Sequence, residues 1–270
     1  MTSPVGTPST PASPIRITFN QCGVFKGMLT FFKRLGLTKF HWIFHPTHAT
    51  IEEQIKEQIK DQIIGKVFIR LSGLNIRYKN PTEEPEVIVA TSTSKLLDAI
   101  NGRGKNDSIE LWFSRDGTVQ ISFVMEGGGT TSGLQSIPSE QPDLQRFVLP
   151  SYTKKPCCLM DSNSFEGLCK QLTKSRVDQI TISGPNEQNR LMFEASKAGT
   201  LSIYDMEFFE IPDFKIEMDL PAAAAAHLKN LADMAGKHDT LGLTIEENRP
   251  IKIEGPVGSV GNIVMIIGDV

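Results

Sequence analysis

The chain is written twice. Moved 140 positions along the 270-residue sequence, Phe25-Lys26-Gly27-Met28 meets Phe165-Glu166-Gly167-Leu168. In the same register Phe32 meets Leu172, Phe40 meets Ile180 and Trp42 meets Ile182. A second register, at 132, pairs Leu96 with Leu228, Asp107 with Asp239, Ile109 with Leu241 and Leu111 with Leu243. It continues through Phe113 with Ile245, Val119 with Ile251 and Ile121 with Ile253. The difference of 8 between 140 and 132 places extra residues in the first half, and Glu52–Gln62 (EEQIKEQIKDQ) is the expected insertion. The apolar pattern carries the repeat more than residue identity does. A repeat of this length divides the chain before any motif is weighed. Two domains of about 120 residues each, a comfortable size for one core, are expected. We place them at 15–130 and 156–270, joined by an edge segment and connector over 131–155.

Residues 1–14 (MTSPVGTPSTPASP) carry no charged side chain and are rich in Pro, Ser and Thr, which predicts a disordered tail. Ser3, Thr7, Thr10 and Ser13 each precede a proline, as kinase substrates can. The segment has neither the basic start nor the apolar run of a signal peptide. No apolar stretch reaches the roughly 20 residues of a membrane span. Four cysteines, Cys22, Cys157, Cys158 and Cys169, are too few and too irregularly spaced for a disulfide framework, so a reducing intracellular compartment is expected.

The pattern along the chain reads as strand, helix, a run of strands, helix and more strands, in each half. Helical spacing covers 24–36, 92–106 (its apolar face 92–101), 162–176 and 222–238. Strand alternation covers 15–20, 39–44, 66–71, 74–79, 86–90, 108–114 and 118–125, then 157–160, 178–183, 190–195, 199–205, 214–219, 240–246, 250–254 and 262–267. Ile55, Ile59 and Ile63, every fourth residue of a polar stretch, fit a short helix or a charged loop. Helices over one face of antiparallel sheets make an α+β fold.

Charge follows the same division. The four helical segments carry +3, +2, +2 and +1, a total of +8 that leaves −11 for the rest of a chain of net charge −3. Cations gathered on one element type suit a phosphate-facing surface; solvated helix faces are the other reading. Metal binding by His41, His45 and His48 is not expected, because on a strand 41 and 45 share a face that 48 does not, and no Cys or acid adjoins them in sequence. Cys157-Cys158 lacks the CxxC spacing of a redox pair. Gly255–Gly261 has spaced glycines but no following helix, so a turn is expected in place of a dinucleotide loop. Gly127–Gly129 lacks the Lys-Ser/Thr of a P-loop. No catalytic constellation stands out, so we expect no enzyme, no metal and no cofactor.

The segments PCCLMDSNSFEGLCKQLTKSRVDQITISG (156–184), VATSTSKLLDAI (89–100) and RPIKIEGPVGSVGNIVMIIGDV (249–270), with the duplication and the basic helices, resemble the sliding clamps of the proliferating cell nuclear antigen (PCNA) family. The resemblance spans roughly 15–270 and is distant, of the kind seen in viral clamps. It implies two domains of the processivity fold in a homotrimeric ring whose helices line a DNA-sized hole. Its matching channel positions are Arg34, Lys95 and Lys170; helix position and charge add Lys26, Lys33, Arg103, Lys105, Lys174, Arg176, Lys229 and Lys237. Contacts of this kind to phosphates carry no sequence information.

The resemblance also implies a partner pocket under the connector, at Phe147, Leu149, Tyr152, Pro250, Ile266 and Gly268, that takes short apolar-aromatic peptides; ordinary packing at a domain junction is the alternative. Met265-Ile266 stands where the family has an aromatic pair. The subunit interface is expected where 131–139 meets 199–206 of a neighbour, with Leu134, Ile137, Leu201, Ile203 and Tyr204; Pro138 and Pro142 remove ladder donors there. The expected function is a DNA polymerase processivity clamp in replication and repair, working in the nucleus or in a viral replication factory in the cytoplasm. Its partners would be duplex DNA, a polymerase and other replication proteins, and a clamp loader. The alternatives are a monomeric or dimeric DNA-binding accessory factor of the same fold, and a late transcription factor or protein-binding scaffold.

Overall fold

Alternation in Ile15-Arg16-Ile17-Thr18-Phe19 buries Ile15, Ile17 and Phe19 and leaves the other two half-exposed, as a strand with one covered face requires. The same logic runs through a computed structural model of the chain. It describes residues 15–56, 63–77, 86–114, 117–125, 130–152, 158–174, 179–184, 191–197, 200–206, 216–235, 239–246 and 249–268. The proposed tail, 1–14, lies outside the described residues.

The first half runs β1 (Ile15–Phe19), α1 (Cys22–Arg34), β2 (Lys39–Phe44), β3 (Ala49–Lys56), β4 (Ile63–Leu71), β5 (Asn75–Arg77), β6 (Val87–Ser92), α2 (Thr93–Ala99), β7 (Ser108–Phe113), β8 (Thr118–Val124) and β9 (Thr130–Pro138). The second half runs β10 (Cys158–Asp161), α3 (Ser162–Lys174), β11 (Gln179–Gly184), β12 (Leu191–Lys197), β13 (Thr200–Met206), β14 (Ile216–Pro221), α4 (Ala222–Ala235), β15 (Thr240–Thr244), β16 (Ile251–Val257) and β17 (Gly261–Ile267). Both bounds of α3 lie 140 residues beyond those of α1, and both bounds of β11 lie 140 beyond those of β2. β15 begins 132 residues after β7.

Three antiparallel sheets result, in the orders β5-β1-β7-β8-β9, β10-β15-β16-β17-β4-β3-β2-β6 and β13-β12-β11-β14. The eight-stranded sheet joins the halves through one ladder, β17 on β4, in register from Asn262 opposite Arg70 to Ile267 opposite Gly65. By the repeat, β17 corresponds to β9 and β4 to β13. The ladder that closes inside the chain is therefore the counterpart of two of the sheet edges that stay open among the described residues, β9 and β13.

All four helices lie in one layer, in the order α2, α1, α4, α3. α1 shows how the layer is fixed. Phe25, Met28, Leu29 and Phe32 recur at helical spacing and are buried, while Lys26, Lys33 and Arg34 face outward. Carbonyls of Asp107 and Lys105 accept the N–H groups of Cys22 and Gly23 at 2.6 and 2.9 Å, satisfying helix-end donors that Gln21 does not cap. In α3 the carboxylate of Asp161 takes the N–H of Ser164 at 2.9 Å, an N-cap bond. Beneath α1 the rings of Phe19, Phe25, Phe32, Phe40, Trp42, Phe44 and Phe113 form a chain with centroids 4.7–6.3 Å apart. The Trp42 indole N–H donates to Thr91 Oγ1 at 3.0 Å, so this large buried side chain has no unmet donor.

Two expectations are corrected. Glu52–Lys56, read as the start of a helix or charged loop, belongs to β3: pairing with β4 carries it as a strand that buries Ile55. Residues 57–62 lie outside the described residues. α2 ends at Ala99, and the left-handed turn at Gly102 (φ +81°) stops it, so Arg103 and Lys105 lie on a loop. The turn expected within 255–261 lies at Gly258–Val260, between the end of β16 at Val257 and the start of β17.

The β4–β17 ladder depends on two glycines. A Cβ at Gly65 would sit 2.4 Å from the Ile266 carbonyl oxygen, and one at Gly261 would sit 2.0 Å from that of Arg70. Backbone must move to admit either. Gly65→Ala and Gly261→Ala should each destabilise the chain by about 1–3 kcal/mol, the range for overpacking. Thermal unfolding checks this; two variants melting with the parent would mean that the ladder tolerates spreading.

Candidate nucleic-acid interface and connector groove

The exposed side of the helix layer carries most of the cations expected there, and the structure sorts them into two sets. Arg34 of α1 reaches Asp233 of α4 at 2.6 Å, and Lys229 reaches the same carboxylate oxygen at 2.8 Å. Lys170 pairs with Glu166 one turn earlier on α3. Burial pushes the Asp233 carboxyl up, but hydrogen bonds from Glu166 and Lys229 and the charges of Lys229 and Arg34 outweigh it and hold the pKa below the usual value. One acidic pair on α3 and α4 thus occupies three of the cations. Lys95 pairs with Glu140 at 2.8 Å.

Lys26, Lys33, Lys105 and Lys174 are exposed and have no carboxylate partner among the described residues. The Arg103 guanidinium lies 4.2 Å from the Phe123 ring centroid, covering the core rather than reaching out. Arg176 and Lys237 lie outside the described residues. A groove of about 800 Å³ runs between α1 and α4, walled by Lys26, Thr30, Arg34, Lys105, Asn230 and Asp233. Sequence reading missed Asp233 and Glu166 as members of this surface. Their charge was visible, but their role arises only where separate helices meet.

The opposite face of the eight-stranded sheet is covered by the connector, residues 139–152. Strand alternation places Trp42, Ile51 and Val67 toward the helices and His41, Glu52 and Lys66 toward the connector. Ile43, Ala90 and Ile266 are buried yet stand apart from the main core cluster, as residues of the connector-covered face do. The connector crosses the strands in turn. Glu140 N–H donates to the Ala90 carbonyl of β6 at 2.9 Å. Asp143 meets Lys39 and His41 of β2 at 2.7 and 3.0 Å. Arg146 meets Glu52 of β3 at 3.3 Å and Glu86 at 2.7 Å. Phe147 lies with its centroid 4.9 Å from Lys66 Nζ of β4.

At the far side Tyr152 O–H donates to the Pro250 carbonyl at 2.8 Å, with Lys252 of β16 5.3 Å from its ring centroid. Burial pushes the Tyr152 phenol up to about 12. Lys252, Ile266 and Lys66 form one cross-strand row, and Phe147 and Tyr152 stand over its two ends. Gly268 adjoins Pro250 at its edge. Leu149 is half-buried and Val148, beside it, is 90% exposed.

The residues expected at a subunit interface fall on edge strands, Leu134 and Ile137 on β9 and Leu201, Ile203 and Tyr204 on β13. Ile137 is buried in its own domain's core, opposite Val119, so backbone is what it offers a neighbour. The histidines separate: His45 lies beyond the end of β2 and stacks on His48 with centroids 4.4 Å apart, while His41 sits between two acids, Glu53 and Asp143, that sequence proximity does not show. Among the described residues no group of three His, Cys, Asp or Glu is placed to hold a metal, and no helix is long and apolar enough to cross a membrane. Cys22 and Cys169 are free and buried; Cys157 lies outside the described residues.

No protein-family model matches the chain, and no curated protein matches it in sequence. Among solved structures it is similar to the crystal structure of PCNA from Thermococcus kodakaraensis, with a TM-score of 0.76 and 12% identity over 94% of this chain and 99% of that one. At that identity the likeness concerns the fold. The chain has a PCNA-like clamp fold, α+β with two similar domains, helices on one face and antiparallel sheets on the other.

The Tyr152 bond to Pro250 is the polar tie at the end of the connector. Tyr152→Phe removes its donor and leaves the ring, at a cost of about 1 kcal/mol, the net worth of such a bond. Amide exchange should quicken over the connector and stay unchanged in β2 and β8. Unchanged connector exchange would show that ring packing alone holds it.

Proposed function

We propose that the chain is a DNA sliding clamp that serves as a polymerase processivity factor, closing as a homotrimeric ring around duplex DNA and tethering replication proteins at the connector groove. The observation that carries this reading is that two of the open sheet edges match, by the repeat, the strands of the internal join. β9 and β13 are the repeat counterparts of β17 and β4, which already pair within the chain. An edge that pairs with its non-identical counterpart on the next copy makes a head-to-tail contact, and such contacts close into rings when the rotation allows. The helix layer then lines the inside, and its cations meet phosphates without reading bases. The PCNA-like fold supports the same arrangement. In this reading the chain performs no catalysis; it holds polymerases and repair proteins near DNA through short apolar-aromatic peptides docked at the connector, and a clamp loader opens the ring.

Assembly is tested by mass in solution across protein concentration. The parent should weigh three chains, and Tyr204→Asp, which puts a charge on β13, should weigh one. A parent that stays monomeric at every concentration would remove the ring and leave an open DNA-binding face.

Binding is tested by charge. Reversing Lys26, Lys105 and Lys174 to Glu should weaken binding to duplexes of any sequence and flatten the salt dependence, by about 0.9 in log-log slope for each phosphate left unneutralised. Reversing Arg34, Lys95 and Lys170 should act in the same direction. Asp233→Asn should do the opposite, because it releases Arg34 and Lys229 to phosphate. If all three proteins match the parent in affinity and slope, the helices are solvated faces; a loss confined to certain sequences would point to a transcription factor.

A further inference from the structure

One of the ties on the first half of the connector is a buried histidine. His41 points from β2 to the connector face with its side chain 5% exposed, and both ring nitrogens face carboxylates. Nδ1 is 2.8 Å from Glu53 Oε1 and Nε2 is 3.0 Å from Asp143 Oδ1. Glu53 is fixed from the other side. The β2–β3 ladder pairs Trp42–Phe44 with Ala49–Ile51, and beyond it the same Glu53 oxygen takes the His41 backbone N–H at 2.6 Å. Glu53 is therefore an acceptor already committed, and it keeps a proton on Nδ1.

The second nitrogen has two partners on one residue. Besides its carboxylate, Asp143 brings its own backbone N to 3.3 Å from Nε2. A protonated Nε2 donates to the carboxylate; a bare Nε2 accepts the backbone N–H. We propose that His41 is a protonation latch on the connector: the imidazolium holds Asp143 by a charge-assisted bond, and loss of its proton exchanges that bond for the weaker one from the Asp143 N–H, loosening the segment that leads into Phe147 and Tyr152. Other charged groups surround the ring. Lys39 holds Asp143 Oδ1 at 2.7 Å, Glu52 faces Arg146, and Lys56 lines the same cavity of about 340 Å³.

The sign follows from the surroundings of the ring. Burial lowers the affinity of His41 for its proton, but the hydrogen bond and charge of Glu53, with those of Asp143, outweigh burial and raise its pKa above the ordinary histidine value. A raised pKa means that the latch is fully closed below the unfolded value, about 6.5, and opens as pH climbs through the folded one.

The experiment uses the full chain alone, so its result is separate from the fate of the DNA and peptide readings. The His41 ring is titrated by NMR, and connector amide exchange, corrected for base catalysis, is followed over the same pH range. The ring should titrate above 6.5, and connector protection should fall by about tenfold across that transition, the equivalent of one charge-assisted bond. Asp143 is on the surface, its side chain 65% exposed, so Asp143→Asn keeps the fold. It should bring the ring's titration down and flatten the pH profile of the connector, with no change in β8. A ring titrating at or below the ordinary value overturns the latch, as does a connector profile identical in the parent and in Asp143→Asn.

Discussion

The structure depends on one ladder, β17 against β4. Each half alone is a pair of small sheets with two helices. Joining one edge of each makes an eight-stranded sheet, sets α1 beside α4 and so turns two helix pairs into one layer. The ladder spans Asn262 to Ile267 on β17, and its strands approach closely because Gly65 and Gly261 carry no Cβ. Two of the surfaces with a functional reading lie at this join. The α1–α4 groove is on one side of it, the row Lys252–Ile266–Lys66 is on the other, and two of the open sheet edges are its repeat counterparts.

The electrostatics of the helix layer follow from that geometry. Cations crowded on one surface repel, and a carboxylate among them relieves the repulsion at little cost in water. Exposed pairs such as Arg34–Asp233 and Lys170–Glu166 are worth about 0.2–1 kcal/mol each. A phosphate can therefore displace the carboxylate without a large penalty. A surface of exposed lysines and several exchangeable cations would hold a polyanion loosely and without register. That suits a protein that moves along DNA better than one that stops at a site.

Much of this was legible in the sequence. The 140-residue offset located α3 from α1 and β11 from β2 to the residue, because burial of one helix face and one strand face imposes the same pattern wherever the fold recurs. Ile55 was misread because Ile55, Ile59 and Ile63 have helical spacing, while pairing with β4 decided the outcome. The end of α2 was signalled by Asn101-Gly102, a pair that favours left-handed backbone, and charge at Arg103 and Lys105 drew the helix too far. Asp233 and Glu53 were not legible as site residues. Each matters through partners on other elements, Arg34 at a separation of 199 residues and His41 across a ladder end, and no local pattern encodes such meetings.

The connector shows how the two halves of one segment can be held by different physics. It runs across strands, so it cannot join the sheet as a further strand, and beyond the Glu140–Ala90 bond side chains do most of the holding. From Glu140 to Arg146 those are charged groups: Lys95, Lys39, His41, Glu52 and Glu86 each meet a connector residue. From Phe147 to Tyr152 they are rings over lysine ends and one neutral hydrogen bond. Ion pairs involving a histidine weaken with loss of its proton, whereas the Tyr152 phenol, pushed up to about 12 by burial, keeps its proton over the same range. The first half is thus the adjustable end and the second the fixed end. The slack of the segment that carries Phe147 and Tyr152 is therefore set several residues away, where the charges are.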